Sequence, residues 1–100
     1  MVCIELKRRG HEVYYWKSRH DTEVDFIVRK GRGIEDAIQV CFDLSKSETR
    51  QREYNGLMQA HQELKPRRLT VLTEYEEKEE VINRTKIHVL PLWKWLLNLD

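Results

Sequence analysis

Asp25 lies in the run Thr22-Glu23-Val24-Asp25-Phe26-Ile27-Val28, and Gln39 and Cys41 lie in Ala37-Ile38-Gln39-Val40-Cys41-Phe42. Read as two β-strands, both runs alternate with period two. Glu23, Asp25 and Ile27 then share a face with Ala37, Gln39 and Cys41. Val24, Phe26 and Val28 share the opposite face with Ile38, Val40 and Phe42, which is expected to be core. An acidic residue on one strand beside a polar-x-polar pair on the next is the layout of a metal-dependent phosphodiesterase site. That chemistry needs a divalent cation held by hard oxygen ligands, a group that positions or deprotonates the attacking water, and positive charge against the pentavalent phosphate. Asp25 supplies a carboxylate and Gln39 only a neutral amide oxygen, so these two are the candidate metal ligands, for magnesium. Cys41 supplies a thiol with a reference pKa of about 8.5 and no ammonium, and a soft thiol beside hard oxygens disfavours magnesium. Lys17 or Lys46 would have to reach in from another element to replace the missing cation. The competing reading, which is preferred, makes Gln39 and Cys41 half-buried sheet residues packed beneath a helix. Asp25 then needs a partner such as Lys7, Arg50 or a bound cation.

These residues must be positioned by the elements around them. Residues 2–9 read as the last turns of a helix stopped at Gly10, with Lys7, Arg8 and Arg9 where a helix C-terminus favours cations. No cap precedes Val2, so the helix, and the chain, are expected to continue upstream. Glu12–Lys17 is a strand rich in aromatic and β-branched residues. Lys30-Gly31-Arg32-Gly33 joins the two strands described above as a hairpin, and pairing centred on Arg32 sets Asp25 opposite Gln39 and Glu23 opposite Cys41. Ser45 and Glu48 have capping-box spacing. The helix that follows carries Tyr54, Leu57, Met58, His61 and Leu64 on one face and ends before Pro66. Leu69–Thr73 is a buried strand, Glu74–Glu80 an acidic loop or hairpin start, Asn83-Arg84 a turn, and Lys86–Leu90 a strand. Pro91 suits the first turn of a closing helix whose Leu92, Trp95, Leu96 and Leu99 share a face. Trp93 and Trp95, two residues apart, cannot share one. The expected fold is α/β (α+β): helix, three-strand meander, helix, strand, strand, helix around a mixed sheet.

The 100 residues make one domain, with 40% hydrophobic and 35% charged residues and a net charge of +1. No overall basic field attracts nucleic acid. Residues 1–32 do carry eight Lys/Arg against five Asp/Glu, whereas residues 69–100 carry four against six. A local basic surface in the first half is therefore open, with Lys7, Arg8, Arg50 and Arg52 as candidates for gripping phosphates or an acidic partner. For Arg50 and Arg52 the preferred alternative is a solvated helix face with Glu48 and Glu53. Cys3 and Cys41 form no zinc or disulfide pattern. With no signal peptide and no long apolar run, the chain reads as cytoplasmic, with no membrane partner.

Element order and motif together resemble the restriction-endonuclease-like fold, the PD-(D/E)XK superfamily. The resemblance implies a catalytic Asp on the second strand, an (Asp/Glu)-x-Lys on the third and often a Glu from the first helix. Asp25, Gln39 and Glu5 fall at the acidic positions, and Cys41 falls where the lysine belongs. More narrowly, Glu5-Leu6-Lys7-Arg8-Arg9-Gly10, Val13-Tyr14-Tyr15-Trp16, Glu23-Val24-Asp25-Phe26, Ile38-Gln39-Val40-Cys41, Thr49-Arg50-x-Arg52-Glu53 and Leu92-Trp93-Lys94-Trp95-Leu96 are similar to the C-terminal domain of archaeal and bacterial AAA+-type ATPases. That likeness implies an upstream ATPase domain as partner. The chain has no GxxxxGK[ST] motif, so it does not bind ATP by that route. Three functions follow as expectations. The first is a non-catalytic accessory domain binding nucleic acid or a protein partner on a retired nuclease scaffold. The second is a magnesium-dependent nuclease, and the third a structural module that forms homo-oligomers.

Overall fold

The computed structural model describes residues 4, 7–8, 10–19 and 21–98. It is a mixed α+β domain built on a six-stranded sheet. The strands are β1 (Glu12–Lys17), β2 (Glu23–Lys30), β3 (Gly33–Val40), β4 (Arg68–Thr73), β5 (Lys78–Ile82) and β6 (Thr85–Pro91), and the helices are α1 (Ser47–Leu64) and α2 (Leu92–Asn98). The sheet order is β1-β2-β3-β4-β6-β5. β1, β2 and β3 form the expected antiparallel meander. α1 then carries the chain over to β4, which is parallel to β3. Ahead of the meander, Ile4, Lys7 and Arg8 are helical, and the Gly10 N–H donates to the Lys7 carbonyl at 3.0 Å with φ 86°. This is the left-handed stop that glycine permits.

One strand is additional to the expected order. Lys78–Ile82 overlaps the end of Glu74–Glu80, expected as an acidic loop or hairpin start, and pairs antiparallel with β6 as an edge strand, the hairpin alternative. Three strands, not two, therefore separate the helices. Its Lys78, Glu79 and Glu80 keep charge on that edge, which hinders pairing with another sheet. β6 slots between β4 and β5 and runs parallel to β4, so β4 is central and buried along nearly its whole length.

Both faces of the sheet are core. Under α1 lie Val24, Ile27, Ala37, Leu69, Val71, Ile87 and Val89 with Tyr54, Leu57 and Ala60 of the helix. On the other face Val28, Ile38 and Leu72 pack on Trp95 of α2, flanked by Phe26, Val40 and Leu90. The tryptophans divide as their spacing requires, Trp95 buried and Trp93 exposed. Pro91 ends β6 rather than opening α2.

Two register shifts alter the expected faces. Between β1 and β2, Tyr14 pairs with Ile27 but Trp16 with Val24, so β2 carries one extra residue beside Asp25 and Phe26. Such a bulge resets side-chain parity. Val24 consequently joins the α1-side cluster with Ile27, not the Phe26 and Val28 side. Between β2 and β3 a second shift falls at Val28/Arg29, where β3 has the extra residue. The turn is Gly31-Arg32, and this shift restores the pairing centred on Arg32 beyond it, with Phe26 opposite Ile38 and Ile27 opposite Ala37. Phe42 is no core residue. It lies past the end of β3 and is 58% exposed.

The capping box is not formed. α1 begins at Ser47 with Lys46 at its N-cap and no side-chain cap bond. The Ser45 N–H instead donates to Asp43 Oδ1 at 2.9 Å, a local turn that precedes the helix. At the other end Lys65 closes the helix in the left-handed region (φ 51°), directly before Pro66.

Candidate functional site

At the Asp25 end of the β2–β3 ribbon, side chains take over from the backbone ladder. The Asp25 N–H donates to Gln39 Oε1 (3.0 Å), and the Val40 N–H donates to Asp25 Oδ2 (2.8 Å). Gln39 Nε2 donates to the Glu23 carbonyl (2.6 Å) and to the Glu53 carbonyl of α1 (3.3 Å). Gln39 is 2% exposed. Both ends of its amide are thus spent on main-chain groups of β2 and α1, as burial demands of a polar group. Gln39 is a clamp between sheet and helix.

The helix crosses very close at this point. A Cβ on Gly56 would lie 2.3 Å from the Glu23 carbonyl oxygen and 2.8 Å from Gln39 Nε2. Only glycine lets α1 descend onto the clamp.

Outside the clamp opens a cleft of about 590 Å³ between β2 and the first half of α1. Its charged lining is Asp21, Glu23, Asp25, Glu48 and Glu53 against Arg52. Crowded carboxylates disfavour one another's ionisation. The Glu53 carboxyl is accordingly held above its ordinary range, first by partial burial and then by Asp25 and Glu23, with Arg52 opposing. The Tyr15 hydroxyl is raised by its hydrogen bond to Glu23.

The sequence-derived site residues are only partly brought together. Asp25 and Gln39 are neighbours as expected, and Asp25 finds its partner in the Val40 N–H rather than in Lys7 or Arg50. Cys41 lies just beyond β3, where its Sγ donates to the Asp43 carbonyl at 3.3 Å. Its thiol is raised by desolvation, then by Glu53, so it stays protonated at neutral pH. Glu5 lies outside the described residues. Arg50 turns back to donate to the Leu44 carbonyl (3.3 Å), and the exposed Arg52 reaches Glu53 at 4.0 Å. Lys7 and Arg8 are exposed. Lys17 pairs with Asp21 at 3.3 Å.

The sequence reading missed Glu53 as a member of this cluster, and it missed Gly56. The signal for both was the run Arg52-Glu53-Tyr54-Asn55-Gly56, an acid and a glycine within an otherwise well-formed helix.

A nuclease-type site would hold a divalent cation, and these residues do not fit one. The Gln39 oxygen already accepts the Asp25 N–H, Asp25 Oδ2 already accepts a backbone proton, and the thiol is a poor partner for magnesium. Among the described residues no group of three or more His, Cys, Asp or Glu is arranged to hold a metal ion.

Fold and site together define a small mixed α+β domain in which a buried glutamine locks a helix onto the sheet beneath an acidic cleft. A family model described as a domain of unknown function (DUF4143) matches residues 1–95. The chain belongs to that family, which is known to occur alongside AAA ATPase domains. No curated protein and no solved structure matches it. Among the described residues no helix is long and apolar enough to cross a membrane.

Proposed function

We propose that the domain is a non-catalytic accessory module of an AAA-type ATPase, a nuclease-like scaffold that binds rather than cuts. The observation that carries this reading is the state of Gln39. At the position that the resemblance assigns to a metal-binding carboxylate stands an amide that donates to the Glu23 and Glu53 carbonyls and accepts from the Asp25 N–H. Cys41, at the lysine position, offers a neutral thiol directed at a carbonyl. Among the described residues the cleft sets only the Arg52 cation against five carboxylates, which gives a pentavalent phosphate poor electrostatic support. The meander, the crossover helix and the Asp25–Gln39 neighbourhood support the scaffold likeness. The family's association with ATPase domains supports the accessory role.

The test is a cleavage assay on single- and double-stranded DNA and RNA with magnesium or manganese, with Asp25→Ala alongside. The expected result is equal background with both proteins. Metal-dependent cutting that disappears in Asp25→Ala makes the domain a nuclease and overturns the reading.

A further inference from the structure

We propose that the opposite end of the sheet from the acidic cleft carries a second, basic groove that holds the phosphate backbone of a nucleic acid without reading its sequence. The groove has a volume of about 420 Å³ and is lined by Arg67, Arg68, Arg84 and Lys86, with His61 and His88 at its sides. It is formed where β4 and β6 begin, whereas the cleft lies at the far end of β3. None of its four cations was among the basic residues singled out from the sequence.

Charge is the first argument. The acids that face these cations are Glu35, 3.9 Å from Arg67; Asp36, 3.1 Å from Arg68; and Glu79, 3.5 Å from Lys86 and 3.7 Å from His88. Arg84 makes no ion pair with any described residue. Four cations against three acids leave a net positive groove, and the Arg67 side chain remains 82% exposed in spite of its partner. Three of the four cations are guanidiniums, whose planar fork matches phosphate oxygens.

Backbone geometry is the second argument, and it is independent of the first. Asn83-Arg84 is a two-residue hairpin loop with both residues left-handed, φ 49° and 66°. Such loops favour Asn-Gly, yet the glycine position carries the arginine. A left-handed arginine is locally unfavourable, and strain of this kind concentrates where a side chain is used. The helix stop before the groove repeats the pattern, with Lys65 left-handed where glycine is preferred.

The lining also selects among anionic partners. Its apolar members, Pro66 and Leu69, are buried, so nothing projects to insert into a bilayer. No Phe, Tyr or Trp lines it, and its four cations offer contacts to phosphates, which carry no sequence information. This inference concerns a surface separate from the Gln39 clamp and holds whether or not the cleft is catalytic.

The test is fluorescence anisotropy of labelled single-stranded and duplex oligonucleotides of unrelated sequence, titrated with this chain between 50 and 200 mM salt, figures chosen to span roughly the range over which phosphate contacts respond. The expected dissociation constant is about 10⁻⁴–10⁻⁶ M, independent of sequence, with a logarithmic salt slope of about −0.9 per phosphate engaged on duplex. Arg84→Gly is the decisive variant because it relieves the left-handed strain while removing the cation. It should weaken binding roughly three- to tenfold and flatten the salt slope by about one, with a urea midpoint no lower than the parent's. Arg67→Glu should weaken binding further, and Lys94→Ala, on α2 beyond the other end of β6, should leave it unchanged. Absence of binding at the lowest salt, or Arg84→Gly and Arg67→Glu binding like the parent, would overturn the proposal. So would loss of binding in Lys94→Ala, or displacement of the oligonucleotide by polyglutamate as readily as by unlabelled nucleic acid.

Discussion

Gly56 and Gln39 are matched parts of one joint. The glycine's missing Cβ leaves the space in which the Gln39 amide reaches from the sheet to the Glu53 carbonyl of α1. Helix, second strand and third strand therefore meet at a single side chain.

Gly56→Ala tests that joint. In an open helix the change would be stabilising by about 1 kcal/mol. Here the new methyl meets a backbone carbonyl oxygen at 2.3 Å, which cannot rotate away. The expected outcome is a net loss of about 1–3 kcal/mol, typical of overpacking, read from the urea midpoint. A stabilised variant would mean that the helix stands farther from β2 than described.

Much of this arrangement was legible beforehand, for identifiable reasons. Alternation in the two central runs, the glycine turn and the proline after α1 report local preferences, and they located β2, β3 and α1. Asp25 and Gln39 emerged as neighbours because hairpin pairing depends on turn position. Other features depend on tertiary context. The bulge beside Asp25 moved Val24 across the sheet, and no residue in β2 signals it. β5 begins in an acidic stretch that reads as a loop or a hairpin start, and pairing with β6 decides for the strand. The capping box failed because Asp43 holds the Ser45 N–H first. That Gln39 bonds main chain on two other elements could not be seen in a periodicity.

The cleft predicts a stabilising substitution. Glu53 repels Asp25 and Glu23 while half-buried, and its raised pKa means the folded chain holds that proton more tightly than the unfolded one. Stability contributed by this group is present below its unfolded pKa and is lost as pH rises through the folded value. Glu53→Gln should therefore stabilise at neutral pH, by no more than about 1 kcal/mol after allowance for solvent screening. The gain should shrink toward pH 4, roughly the ordinary range of a glutamate. Denaturant midpoints at both pH values check this.

Asp36 sets a second pH dependence on the other face. It accepts from Arg68 Nε at 3.1 Å and from Thr70 Oγ1 at 2.9 Å, yet burial pushes its carboxyl up to about 7 against both. The sign follows as before. Between the ordinary aspartate range, about 4, and pH 7 the folded state binds the extra proton, so stability falls as pH rises through that window. Asp36→Asn should make this slope shallower, leaving the share that Glu53 contributes. A parent whose urea midpoint rises between those pH values, or an Asn variant with the same profile, contradicts the assignment.

Tyr54, on the sheet-facing side of α1, is buried, and among the described residues its hydroxyl has no hydrogen-bond partner. An orphaned buried hydroxyl is a cost that phenylalanine lacks. Tyr54→Phe is expected to be neutral or stabilising by up to about 1 kcal/mol, measured by thermal unfolding. A clear loss of stability would reveal a partner for the hydroxyl.

The most direct test of the central claim is the NMR signal of the Gln39 side-chain amide during titration with magnesium. If Gln39 locks β2, β3 and α1 together, its NH₂ protons exchange slowly with solvent and neither they nor the Asp25 signals shift as the cation reaches millimolar levels. Saturable magnesium-induced shifts at both residues, with the Gln39 protons exchanging freely, would mean that the amide is a metal ligand and that the accessory reading is wrong.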